Sequence, residues 1–149
     1  MRTGLPVLDL QVVLLYNCTM DIIVDASAIL AVLLNEPQKD RILELTRGVE
    51  FIAPSCIEYE IGNAVSALFR RKLLDISDGI LVWHAYNKVP IRQLAPDFHE
   101  SLIIAGTEGL YAYDAYYLAL AGNLRLPLLT LDAGLKAAAS RRGVTCLEV

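Results

Sequence analysis

The chain has 149 residues, 55% of them hydrophobic and 20% charged, which is enough to bury one core and too apolar for a disordered segment. Seventeen acidic residues against 13 basic ones give a net charge of −4, which argues against attachment to nucleic acid through an overall basic surface. Cys18, Cys56 and Cys146 are odd in number, widely spaced and without a CxxC pair, so neither a disulfide framework nor a zinc knuckle is expected, and a reducing cytoplasm is the expected compartment.

The longest apolar run, Leu5 to Tyr16, is broken by Pro6, Asp9 and Gln11 and falls short of the roughly 18 to 20 residues a membrane span requires. No small-x-small cleavage site follows it, so it also makes a poor signal peptide. Met20, just ahead of IIVDASAIL at 22–30, reads as the natural start. Residues 1–19 are then an upstream extension, and one domain spans 20–149.

From Met20 onward, short β-branched runs alternate with stretches of helical period, the signature of an α/β fold with a mostly parallel sheet. Ile22 to Val24 is the first expected strand and Ser27 to Leu34 its helix, ending before Asn35 and Pro37. A helix fits Gln38 to Thr46. Phe51 and Ile52 form a second strand, after which Ser55 caps a long helix to about Lys72, with Ile57, Ile61, Val65 and Leu68 on one stripe and Glu58 opposite. Asp75 to Val89 and Phe98 to Gly106 are further helices on either side of a strand at Ile91 to Leu94. Ala115 to Ala121 is a helix stopped by Gly122 and Asn123. Pro127 to Leu131, Gly134 to Ala139 and Val144 to Leu147 complete the chain as strand, helix and strand.

Ligands of open α/β sheets collect at the carboxyl ends of the strands. Asp25 follows the first strand and Asp132 follows the Leu128 to Leu131 run, so two central parallel strands would bring these carboxylates together. Each also reads as an ordinary N-cap, and Asp114 is equally placed to open its helix. Glu60 lies beside the apolar stripe of its helix, followed by Gly62, whose cost in a helix interior of about 0.8–1 kcal/mol implies a close backbone approach. Without these four acids, acidic and basic residues would balance at 13 each. Clustered carboxylates repel one another in the absence of a cation, and oxygen donors without His or Cys favour Mg²⁺ or Mn²⁺ over zinc.

Four segments, in this order, resemble those of PIN-domain ribonucleases and, within them, the VapC-like toxins of toxin–antitoxin pairs. They are IIVDASAIL at 22–30, PSCIEYEIGNAV at 54–65, YDAYYLALA at 113–121 and LLTLDAGLKAAASRRGV at 128–144. The resemblance covers about nine-tenths of the chain and implies a three-layer α/β/α fold with four to five strands. It makes Asp25, Glu60, Asp114 and Asp132 an acidic quartet for Mg²⁺ or Mn²⁺, with Ser27 and Thr130 as orienting hydroxyls, and prefers Glu60 to its rival Glu58 because Asn63 follows three residues on. The implied reaction is hydrolysis of RNA by a metal-activated water, leaving a 5′-phosphate and a 3′-hydroxyl.

The resemblance also implies a homodimer and a VapB-like antitoxin, whose extended segment would cover the faces of Ser27 to Leu34 and Ile57 to Leu68. Arg70, Arg71 and Lys72 are the best basic cluster for RNA, although cations also complement a helix C-terminus, and Arg141 and Arg142 are open to the same two readings. Tyr111, Tyr113, Tyr116 and Tyr117 surround Asp114, some for packing and one or two for stacking on unpaired bases. His84 and His99 fall outside the four segments. The alternatives are an inactive PIN-like module acting through a protein partner, a haloacid-dehalogenase-like phosphatase, disfavoured because Ser27 stands where a second Asp is needed, and a receiver-like domain, disfavoured because Ala95 and Pro96 follow the third strand.

Overall fold

A computed structural model describes residues 20–149; the expected extension at 1–19, with Cys18, lies outside the described residues. In chain order the elements are β1 (Met20–Val24), α1 (Ala26–Leu33), α2 (Lys39–Leu45), β2 (Val49–Pro54), α3 (Ile57–Arg70), α4 (Ile76–Tyr86), β3 (Ile91–Leu94), α5 (Phe98–Glu108), α6 (Ala112–Leu124), β4 (Leu128–Leu129) and α7 (Ala133–Arg141). The four strands lie in the order β3-β2-β1-β4 and every pairing is parallel, with Ile22 opposite Phe51, Ile23 opposite Leu128 and Phe51 opposite Ile91.

That order fixes the layers. Parallel crossovers are right-handed, so the steps from β1 to β2 and from β2 to β3 carry α1 to α4 over one face, and the return past β1 to β4 carries α5 and α6 over the other. The three-layer expectation follows, and the change of direction places a switch point between the adjacent carboxyl ends of β1 and β4. Ile22, Ile23 and Val24 are fully buried, as a continuous apolar run requires in a strand covered on both faces.

The strand expected at Pro127 to Leu131 narrows to Leu128–Leu129, and three further element bounds or caps depart from the sequence expectation, each for a physical reason. Helix α6 runs through Gly122 and Asn123 and ends where Arg125 takes a left-handed conformation (φ 55°). Its residues from Leu118 to Ala121 are all buried, so it is apolar on several sides and has no clean stripe from which to read its bounds. The long helix α3 starts at Ile57, with Cys56 at its N-cap and no side-chain capping bond, and Ser55 instead spends its amide on the Leu94 carbonyl at 2.9 Å. At the carboxy terminus the expected strand reduces to one parallel bridge of Cys146 to Leu128, held by Leu128 N–H to Thr145 O at 2.8 Å and Leu147 N–H to Leu128 O at 2.9 Å.

The close backbone approach expected at Gly62 is found at Gly79. A Cβ on Gly62 meets nothing within 4 Å, whereas one on Gly79 would strike the Phe69 ring and come within 3.1 Å of Val65 Cγ1. Gly79 is therefore what lets α4 lie against α3, and capping of α4 by Asp75, which accepts from the Asp78 amide at 2.8 Å, fixes where that contact begins. Replacing Gly62 by Ala should raise stability by about 0.5–1 kcal/mol through helix propensity. Gly79→Ala should lower it by about 1 kcal/mol despite the same propensity gain, because overpacking outweighs it. Urea unfolding of the two variants checks both signs.

Candidate active site

Asp25 sits at the end of β1, its amide bonded to the Leu129 carbonyl of β4 at 2.9 Å. It occupies the N-cap position of α1, yet its side chain makes no capping hydrogen bond. The carboxylate, 5% exposed, takes two hydroxyl donors on one oxygen instead: Thr130 at 2.6 Å and Ser27 at 2.8 Å, both to Oδ2. Ser27 also accepts the Leu131 amide at 3.0 Å, and Thr130 accepts the Asp132 amide at 3.0 Å. The turn after β4 is thereby laced to the start of α1. Capping does operate at Asp132, where Oδ1 accepts from the Leu135 amide at 2.7 Å.

Glu60, in the first turn of α3, is partly buried. Its Oε1 accepts from the Tyr117 phenol of α6 at 2.9 Å, and the Cys56 thiol reaches the same oxygen at 3.6 Å. Asp114 lies in the first turn of α6, whose N-cap is Tyr111, and is not a cap itself. All four acids line one open cleft of about 710 Å³, together with Ser27, Leu30, Asn63 and the exposed Tyr59, Tyr111 and Tyr113. Glu58 lies outside it, exposed and accepting from Gln93 at 2.9 Å.

Burial pushes Asp25 above its ordinary value against the opposing effect of its two hydroxyl donors, and the charge of Asp132 adds to the rise. Burial likewise raises Glu60 to about 7, with Asp25 and Asp114 contributing repulsion against the lowering by Tyr117. Asp114 is pushed to about 6 by burial and then by Asp132 and Asp25. Among the described residues no basic side chain forms an ion pair with any of the four. The cleft is thus a concentration of mutually repelling carboxylates that lacks a protein counter-charge.

No three His, Cys, Asp or Glu side chains among the described residues close around one ion-sized point. The donor set nevertheless suits Mg²⁺ or Mn²⁺, since these cations prefer hard oxygen ligands, keep several waters and take only one or two carboxylates directly. A softer or fully caged metal fits poorly.

The structure brings Asp25, Ser27, Glu60, Asp114, Thr130 and Asp132 together and leaves the basic cluster apart. Arg70 ends α3, with Arg71 and Lys72 just beyond it, all three exposed and separated from Glu60 by most of the helix. Arg141 and Arg142 pair with Glu108 and Glu100, at 2.7 and 3.3 Å. His84 and His99 are exposed on α4 and α5. Tyr116 packs edge-on to Phe98 and Tyr113. Sequence reasoning missed Tyr117 and Cys56 as partners of Glu60; the four-residue spacing of Cys56 and Glu60 on one helix face was the available signal. Thr130→Val, which keeps the shape and removes the hydroxyl, should cost about 1–3 kcal/mol. The loss should be greater at pH 8 than at pH 4, because the hydroxyl favours the ionised Asp25; chemical unfolding at both pH values measures it.

The sequence and the fold both have counterparts among known proteins. A family model described as PIN domain matches residues 22–140. "VapC ribonuclease Mb0985" of Mycobacterium bovis is 32% identical over 111 residues, covering 74% of this chain and 85% of that protein. "Ribonuclease VapC3" of Pyrobaculum aerophilum is 30% identical over 118 residues, covering 76% and 90%. The crystal structure of PAE2754 from Pyrobaculum aerophilum superposes with a TM-score of 0.63 at 24% identity, over 86% of this chain and 91% of that one. FitAcB from Neisseria gonorrhoeae gives 0.59 at 18% identity, over 85% and 96%. The chain belongs to the PIN-domain family, among its VapC-like ribonucleases.

Proposed function

We propose that the protein is a Mg²⁺- or Mn²⁺-dependent endoribonuclease, the toxin of a type II toxin–antitoxin pair. The observation that carries this reading is the cleft itself, in which four carboxylates share one space with no basic partner among the described residues. Asp25, Glu60, Asp114 and Asp132 hold the cation, and Ser27 and Thr130 keep Asp25 in place. Held there, a divalent cation would supply charge stabilisation to the scissile phosphate and a more acidic water as the nucleophile. The arrangement needs no histidine. Tyr59, Tyr111 and Tyr113 at the rim offer faces for unpaired bases, and Arg70, Arg71 and Lys72 offer phosphate contacts further along α3.

Two protein partners belong to this reading. The stripes of α1 and α3 that include Ile29, Ile57, Ile61 and Val65 are buried in the core, so they are not the antitoxin surface expected from the sequence. What these helices leave to the cleft is Leu30, Ala64 and Ala67, and a VapB-like antitoxin segment laid there would cover the four acids. Large apolar side chains are exposed elsewhere, notably Ile76 and Leu81 on α4 and Phe98 and Leu102 on α5; such patches favour burial against a partner, including a second copy of the chain. The described residues contain no helix long and apolar enough to cross a membrane.

Cleavage of total cellular RNA by purified protein tests the activity. Fragments should form with Mg²⁺ or Mn²⁺, disappear with EDTA and fall by at least about 10²-fold in Asp25→Asn, since loss of the metal's charge stabilisation removes several kcal/mol. Fragments that persist in the variant would sink the quartet; folded wild-type protein inert under both metals would favour a binding module.

The raised Glu60 gives a second test through pH. Its ordinary value is 4.5 and the fold moves it to about 7, so the folded protein retains a proton that the unfolded chain has released. The stability this confers is complete below about 4.5 and is lost as the pH rises through about 7. Metal-free wild type should therefore weaken between pH 5 and 8, Glu60→Gln should weaken less, and Mg²⁺ should restore wild type most at the alkaline end. Thermal melts across that range decide, and a metal-free protein that gains stability towards pH 8 would contradict the assignment.

A further inference from the structure

Two carboxylates of the cleft are tied in the same manner. On Asp25 the Thr130 and Ser27 hydroxyls both meet Oδ2, at 2.6 and 2.8 Å. On Glu60 the Tyr117 phenol and the Cys56 thiol both meet Oε1, at 2.9 and 3.6 Å. A carboxylate oxygen offers about two lone-pair directions, so one oxygen of each acid is saturated from within the protein. Among the described residues no side chain donates to the other oxygen of either acid. Asp132 follows suit with one backbone donor, the Leu135 amide on Oδ1 at 2.7 Å.

The hydroxyl of Tyr117 has no packing function. The residue is fully buried on α6, where phenylalanine would fill nearly the same volume, and among the described residues the single hydrogen bond its side chain makes goes to Glu60. Cys56 stands one helical turn before Glu60 and completes the pair. Outer partners of this kind govern how a ligand faces a metal, and losing one typically costs about 10- to 100-fold in affinity. Ca²⁺ readily takes a carboxylate through both oxygens, whereas Mg²⁺ demands near-octahedral geometry and single oxygens.

We propose that Tyr117, backed by Cys56, is a positioning residue that ties Oε1 of Glu60 so that a single oxygen faces the cleft, and that this makes the site prefer Mg²⁺ to Ca²⁺. The proposal rests on the reading of the four acids as a divalent-cation site. With the tie removed, Glu60 is able to offer both oxygens, which suits the larger ion.

Calorimetric titration of the full-length protein without RNA, with MgCl₂ and separately with CaCl₂, tests it alongside thermal melts. Wild type should prefer Mg²⁺, and Tyr117→Phe should bind Mg²⁺ about tenfold more weakly while Ca²⁺ affinity holds or rises. A variant that loses stability but keeps the wild-type ratio of the two affinities has lost only a structural contact, and the proposal fails. Should Tyr117→Phe not fold, Cys56→Ala carries the same comparison with a smaller expected drop in the ratio, and an unchanged ratio there overturns it. Wild type that binds both ions equally overturns the selectivity alone. Wild type that binds neither removes the cation reading, and the proposal with it.

Discussion

The pairing of β1 with β4 is the contact on which the remainder of the molecule depends. It is short, with two residue pairs in register, and bonds from the Ile23 and Asp25 amides to the Pro127 and Leu129 carbonyls, each 2.9 Å, carry it. The bridge from the far side, where Cys146 pairs with Leu128, keeps β4 from being an open edge. Because the chain reverses its direction across the sheet at this point, the loops after the two strands part to opposite layers and leave a crevice. Thr130 closes the pairing from the side-chain direction: its hydroxyl donates a hydrogen bond to Asp25 and accepts one from the Asp132 amide. One residue thereby sets the position of two of the four acids.

That placement is costly to the fold. A carboxylate taken out of water and set beside others destabilises the folded chain whenever it is ionised. Among the described residues no lysine or arginine offsets this cluster, although Arg141 and Arg142 are available and are used for ion pairs with Glu108 and Glu100 between α7 and α5. Hydroxyl, phenol and thiol donors hold the carboxylates instead. Such groups fix geometry without neutralising charge, which leaves the cleft's negative potential available to a cation. A buried Ile22–Val24 strand and the buried run Tyr117 to Ala121 of α6 supply the opposing stability.

Much of this was legible in the sequence because it depends on local pattern. Ile22 to Val24 is uniformly apolar and ends in Asp25, which marks both a central parallel strand and the carboxyl end where ligands gather. The orienting role of Ser27 and Thr130 comes from the resemblance, and of the two only Ser27 bonds the carboxylate of its sequence neighbour; Thr130 reaches Asp25 across the pairing of β1 with β4. Glu60 was harder, since its helix places Glu58 only two residues away; the decision between them lies in which side of α3 meets α6, a tertiary fact. The bounds of α6 were missed because a helix buried on several sides has no polar stripe to mark its register. Gly62 and Gly79 look alike in sequence, and only the crossing of α3 and α4 at Phe69 distinguishes them.

The least legible part of the site is the link between its two helical halves. Asp114 and Tyr117 are three residues apart on α6, and Cys56 and Glu60 are four apart on α3, so each pair shares one face of its own helix. The faces meet through the bond from the Tyr117 phenol to Glu60, fifty-seven residues apart in sequence. Helix α6 consequently contributes twice, once with its own carboxylate at the rim and once by holding that of α3. A tyrosine in an apolar helix reads as packing, and a cysteine near a helix start reads as inert, unless the opposing helix is known. Since a buried phenol with its partner removed would itself be left unsatisfied, the seating of α6 and the orientation of Glu60 on α3 are one constraint, joined across the carboxyl edge of the sheet. Substitutions that loosen the helices then disturb the cleft, and substitutions at Glu60 are felt in the core.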